Sequence, residues 1–234
     1  MEKRVRLIVN RLLEWYRDEP WWQREKAEPL RVMLSILLSN RSNRSVVRRV
    51  VAELLRRYPG PEAMLGDPEG VHRALQPLGL AALRARAVLG LARLLAEAGG
   101  VEAFLGLPAE EARRRLLGVP GVGEKTADVL LMALWGVDVF PVDTHIARIA
   151  SRLGLVEPGT RPEQVRRLLE PLIPYGLRAH AHLAMIRLGR EVCRPRRPRC
   201  GECPLRGLCP SHLDMTRPSR ADSASGSTSR SRAA

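Results

Sequence analysis

Residues 118–145 read GVPGVGEKTADVLLMALWGVDVFPVDTH, and the rest of the chain is best read outward from them. Gly121-Val122-Gly123 forms a hairpin that opens a helical run from Glu124 to about Trp135. Lys125 sits in the first turn of that run, and Asp143 follows just before a second helical run that extends through Arg152. The chain has 39 basic residues, yet only Lys3, Lys26 and Lys125 are lysines. Arginine cannot deprotonate to act as a nucleophile, whereas a lysine amine can. A lysine kept at such a hairpin points to an amine that does chemistry on a phosphate-bearing partner.

Glycine lets a backbone approach a ligand closely and adopt positive φ. The N-terminus of the following helix adds partial positive charge, so Gly121, Val122, Gly123 and Thr126 are candidate contacts to a DNA phosphate. Closeness to a helix N-terminus and loss of solvent both favour the neutral form of Lys125. Asp143 is a good N-cap for its helix and still has a second oxygen to offer a substrate. His145 reads as a packing or hydrogen-bonding residue.

Apolar residues recur at spacings of three and four, as in Val46, Val47, Val50, Val51 and Leu54. Breakers such as Pro59-Gly60-Pro61, Gly99-Gly100 and Pro158-Gly159 separate these runs. No stretch alternates with period two for long, so the expected fold is all-α. At 234 residues the chain can bury a good core in one or two domains. The net charge of +14 points to a polyanionic partner. No apolar run reaches the roughly 18–20 residues of a membrane span, and the charged start of the chain is not a signal peptide. Residues 214–234, rich in Ser, Arg and Ala, are expected to be a disordered tail.

Four cysteines, Cys193, Cys200, Cys203 and Cys209, are spaced C-x6-C-x2-C-x5-C. This clustering suits a metal centre in a reducing compartment better than a disulfide framework. Spacing alone leaves a four-cysteine zinc site and a [4Fe–4S] cluster both open. Between the first two cysteines lie Arg194, Arg196, Arg197 and Arg199 on a proline-braced loop, a candidate phosphate clamp.

GVPGVGEKTADVLL followed by FPVDTHIARIASRLGL resembles the helix-hairpin-helix DNA glycosylase superfamily, and the pairing of Lys125 with Asp143 resembles its endonuclease III branch. The cysteine spacing is similar to that branch as well, which implies a [4Fe–4S] cluster. The resemblance covers about residues 1–210. It implies that Lys125 attacks C1′ of a damaged nucleotide, that Asp143 assists, and that the resulting Schiff base is resolved by β-elimination. The implied substrate is duplex DNA with an oxidised pyrimidine or an abasic site. The implied architecture is two helical domains: residues 27–137 form a helical barrel carrying the hairpin. Residues 138–213 form the cluster domain, against which the N-terminal helix of residues 1–26 packs.

Common endonuclease III sequences carry glutamine where Arg41 stands and aspartate where Arg44 stands. The resemblance implies that Arg41 fills the gap left by a flipped base, and that Leu80 is a second wedge. Trp21-Trp22 and the LLSNRS stretch faintly resemble the adenine and thymine mismatch glycosylases of the superfamily. Ser35 stands where the adenine enzymes carry a catalytic glutamate, and both mismatch branches usually lack the nucleophilic lysine. Removal of uracil or thymine opposite guanine is therefore the second reading. A non-catalytic DNA-gripping module is the third. The chain is expected to be a cytoplasmic, DNA-associated monomer.

Overall fold

The structure, a computed structural model, describes residues 1–17, 19–25, 27–39 and 42–212. The expectations for Arg41 and for the tail beyond residue 213 therefore fall outside the described residues. Among the described residues the regular structure is helical throughout, as the periodicity predicts. The first elements are α1 (Glu2–Trp15), α2 (Pro29–Leu38), α3 (Arg44–Arg57), α4 (Pro61–Gly66), α5 (Pro68–Leu75) and α6 (Ala81–Glu97). Then come α7 (Val101–Leu105), α8 (Ala109–Leu117), α9 (Glu124–Leu134), α10 (Thr144–Arg152), α11 (Pro162–Leu169) and α12 (Arg178–Glu191). No helix among the described residues is long and apolar enough to cross a membrane.

Local chemistry sets the helix starts. Prolines occupy the first turn of α2, α4, α5 and α11, where a missing N–H is harmless. Asn43 caps α3 by accepting from the Ser45 amide at 2.9 Å. Asp67 caps α5 through the Gly70 amide at 2.8 Å and accepts from the Tyr58 hydroxyl at 2.7 Å, which ties α5 to the end of α3.

Two apolar cores result. Residues of α2 to α9 build the first, with Leu34, Leu54, Leu91 and Phe104 at its centre. Residues of α1, α10, α11 and α12 build the second, around Leu12, Phe140, Ile146 and Ala181. The N-terminal helix thus packs with the C-terminal half of the chain. The 3₁₀ turn Trp21–Glu25 does not follow it: Trp22 is buried in the first core, edge-on to Trp21.

A buried charge joins the two halves. Asp128 on α9, only 1% exposed, receives Arg113 of α8 at 2.8 Å and also Arg166 of α11. Arg166 reaches on to Glu170 at 3.1 Å, and Glu170 accepts the Phe140 amide at 2.6 Å. A carboxylate sealed in this way is stable only while its partners stay in place. The chain fixes the second helix of the hairpin to α11 and to the segment leading into α10.

Candidate active site

The hairpin joins α8 to α9. Gly121 takes φ of 83°, which a side chain would resist, and a Cβ there would also meet Ala87 at 3.4 Å. Gly123 is the N-cap of α9 and supplies no side-chain bond. The amides of Glu124 and Lys125 have no capping side chain and, as the first two of the helix, no intrahelical acceptor. Gly121 and Gly123 are exposed, so this backbone is open to a phosphate. Val122 is buried and anchors the turn. Thr126, in the same first turn, is buried.

Lys125 projects from the first turn of α9 and is half-buried. Among the described residues it forms no ion pair or hydrogen bond. Burial pulls its ammonium below the ordinary lysine range, Asp143 opposes that shift, and Arg190 reinforces it. The amine is thus biased toward its neutral, nucleophilic form.

Asp143 belongs to the other core. It is the N-cap of α10, and its Oδ1 accepts from the amides of His145 and Ile146, both at 2.9 Å. One oxygen locks the side chain, and the carboxylate charge acts on Lys125. His145 Nδ1 lies 3.1 Å from the Arg148 guanidinium. Burial, with Arg148 and Arg190 nearby, pulls its pKa down although Asp143 opposes this. A hydrogen-bonded packing role fits it. Gly189 of α12 is required here, because a Cβ would meet the His145 side chain at 2.8 Å.

The sequence reading passed over His182. It lies on α12, is 2% exposed, and donates from Nδ1 to the Pro141 carbonyl at 2.7 Å. Burial and then the Lys125 ammonium push its pKa down to about 4, so it stays neutral beside the lysine. Nothing local in the sequence ties it to Lys125. The link is made by α12, whose Ala179 and Leu183 pack on the first core and whose Ala181 and Ala184 pack in the second.

At the far end of α10, Arg152 donates to the carbonyls of Arg194 at 2.7 Å and Pro195 at 2.9 Å, and to Cys193 Sγ at 3.3 Å. One helix thus carries Asp143 at its start and braces the cysteine loop at its end. Arg194, Arg196, Arg197 and Arg199 are all exposed on that loop, and Arg197 adopts φ of 50°. The four cysteines are half-buried free thiols. Burial, with the other three cysteines nearby, pushes the Cys203 thiol up to about 11, against a backbone hydrogen bond at Leu205. Four thiolates here repel one another unless a cationic centre lies among them, so the donor set fits a metal cluster. Among the described residues no three His, Cys, Asp or Glu side chains group as ligands of one ion.

Leu80 is 64% exposed and adopts φ of 52° directly after Gly79 at φ 68°. A left-handed leucine costs roughly 1–2 kcal/mol. An apolar side chain that is both strained and exposed is a sign of function rather than of packing.

The profile of the HhH-GPD superfamily base excision DNA repair proteins matches residues 34–174. The profile of the iron-sulfur binding domain of endonuclease III matches residues 193–209, which begin and end on a cysteine of the set. Endonuclease III of Escherichia coli K12 is 32% identical over 210 residues, spanning 89% of this chain and 96% of that protein. The chain belongs to the endonuclease III family. As a family member it is a base excision repair enzyme, a DNA glycosylase and abasic-site lyase whose four cysteines would hold a [4Fe–4S] cluster. A trapped covalent endonuclease III–DNA intermediate superposes with a TM-score of 0.80 at 27% identity, covering 93% of this chain and 99% of that one. A thymine-DNA glycosylase of Aeropyrum pernix is also similar, at 32% identity over 219 residues covering 88% of this chain and 94% of that protein.

Proposed function

We propose that this endonuclease III family enzyme removes oxidised pyrimidines from duplex DNA and nicks the strand at the resulting abasic site, with Lys125 as nucleophile and Asp143 as its partner. The observation that carries this reading is the half-buried Lys125, without an ion pair, on a glycine-capped helix and close enough to Asp143 for the two charges to interact. The target base must leave the stack, because neither side chain could reach C1′ within an intact duplex. The neutral amine of Lys125 forms a bond to C1′ as the C1′–N bond breaks and its electron pair leaves with the base. Asp143 balances positive charge at the sugar and takes up a proton from the attacking nitrogen. Ring opening gives a Schiff base between Lys125 and C1′. Loss of a proton from C2′ then expels the 3′ phosphate oxygen, and water releases the lysine.

The remaining residues grip the DNA. The backbone of Gly121 to Gly123 meets one phosphate, and Arg194, Arg196, Arg197 and Arg199 meet others. Cys193, Cys200, Cys203 and Cys209 would hold the cluster, which would keep that arginine loop in shape. Leu80 enters the duplex beside the vacated position. Arg41 fills the gap and reads the orphaned base; a guanidinium pairs best with guanine, a preference worth roughly 1–3 kcal/mol. We assign the enzyme to the cytoplasm and to a monomeric state.

A second reading, removal of uracil or thymine opposite guanine, draws on the likeness to the Aeropyrum pernix glycosylase. A panel of duplexes carrying thymine glycol, dihydrouracil, uracil·G, thymine·G or an abasic site separates the two. Base loss with nicking at the first two supports the main reading. Base loss confined to uracil·G and thymine·G overturns it.

A further inference from the structure

Leu80 lacks the packing that would hold its backbone in the left-handed region. Arg84, one turn into α6, supplies the restraint. Its side chain is buried at 9% exposure among apolar residues of the first core. Nε donates to the Gly79 carbonyl at 2.8 Å, directly before the strained leucine. Nη1 donates to the Leu38 carbonyl at 2.9 Å, at the last residue of α2. Nη2 donates to the Ser42 hydroxyl at 2.8 Å, just ahead of the Asn43 cap of α3. A single planar fork therefore fixes the turn into α6 to both ends of the connection between α2 and α3.

A guanidinium is an expensive way to join helices. Burying it costs desolvation, which shows as a pKa pulled down by burial, and an apolar side chain could fill the same space without that cost. The fork provides geometry, because its donors have fixed mutual directions and leave little freedom to the three groups they hold. Strained backbone persists only when its surroundings over-determine it. Leu83, one turn on from Leu80 and 61% exposed, extends the same apolar ridge.

We propose that Arg84 is the positioning residue of base eversion: it locks the Gly79–Leu80 turn to the ends of α2 and α3, so that the leucine enters the duplex as part of one rigid ridge. This rests on the reading of Leu80 as a wedge. Arg84 touches neither the reacting atoms nor Lys125, so its influence should fall on unstacking of the base and spare the chemistry at C1′.

The experiment uses the cluster-loaded full chain and three readouts: stopped-flow fluorescence of 2-aminopurine beside the lesion, single-turnover excision, and borohydride trapping on abasic DNA. Trapping on abasic DNA requires no base to leave the stack. Arg84→Met should slow unstacking and excision about tenfold or more, the scale of lost charge-assisted hydrogen bonds, and leave trapping within about twofold of wild type. Ser42→Ala, which removes one arm of the fork, and Arg84→Lys should slow the same step less. They carry the test if Arg84→Met does not fold. Leu80→Ala should slow unstacking too, and adding Arg84→Met to it should cost little more, because the two act through one element. If Leu80→Ala leaves unstacking untouched, the wedge reading falls and the inference falls with it. If Leu80→Ala slows unstacking while the Arg84 and Ser42 variants do not, only the role of Arg84 falls. Equal slowing of abasic trapping by Arg84→Met, or factors that multiply fully in the double variant, also overturns it.

Discussion

Lys125 stands on a helix whose N-cap is a glycine with no side-chain bond, and it makes no ion pair among the described residues. Asp143 is itself an N-cap, pinned through one oxygen by two amides. The first belongs to the core of α2–α9 and the second to the core of α1 and α10–α12. The contrast follows from the roles. A nucleophile must keep its nitrogen lone pair available, so Lys125 has no ion pair and burial lowers its pKa. A carboxylate that balances charge must not move, so half of it is spent on its own helix. The two are held within electrostatic reach of one another by groups at neither position: the sealed Asp128 with its two arginines, and α12 crossing from one core to the other.

The largest test of this contrast is removal of the free amine. Lys125→Gln should abolish Schiff-base chemistry and lower base excision by several orders of magnitude, while binding to lesion DNA by gel shift and the melting temperature stay near wild type. A large loss of stability would mean that Lys125 is held in the fold rather than kept free. Next comes Asp143, where two variants separate its duties. Asp143→Asn retains a capping oxygen, so excision should fall by orders of magnitude with little change in melting temperature. Asp143→Ala should lose activity and also about 1 kcal/mol of stability. Equal melting of the two variants would contradict the capping role.

Asp128 tests what joins the walls. Removing one partner of a buried ion pair typically costs about 3–5 kcal/mol. Asp128→Ala should therefore lower denaturant stability on that scale. A loss under about 1 kcal/mol, the range of surface pairs, would remove it as the strut.

The smallest effect is a shift along the pH axis. Schiff-base formation needs the neutral amine, so its rate should rise with pH through the ionisation of Lys125, at a midpoint below the ordinary 10.5. Arg190 pulls that midpoint down, so Arg190→Gln should move the rising limb to higher pH. Asp143 pushes it up, so the residual rate of Asp143→Asn should rise at lower pH than in wild type. Single-turnover trapping rates across pH would show either shift, and displacements of the opposite sign would refute the account of how Lys125 is tuned.

Much of this was legible in the sequence because it is local. The hairpin, the cap at Asp143 and the cysteine loop each fit within a short stretch, and each residue type there has few physical reasons to occur. The helical class followed from periodicity. What the sequence hid is what acts over distance. His182 is one of five histidines and meets Lys125 only because α12 crosses both cores. Arg84 is one arginine among many, and its acceptors lie on two other stretches of chain. Asp128 lay within the stretch first quoted, as a lone acid in an apolar helical run. Such an acid needs a buried partner, but sequence could not say which arginine. The burial of Thr126, one residue after the half-buried Lys125, is likewise set by how α9 packs.

The central claim is that Lys125 is the nucleophile, and the scarcity of lysine makes that claim directly testable. Lys3, Lys26, Lys125 and the chain's N-terminus are the only primary amines in the sequence. Borohydride should trap the enzyme on abasic DNA, and mass spectrometry of the digested adduct should place the reduced link on the peptide containing Lys125. A link on Lys3, on Lys26 or on the N-terminus, or no adduct from an enzyme that still nicks, would contradict it.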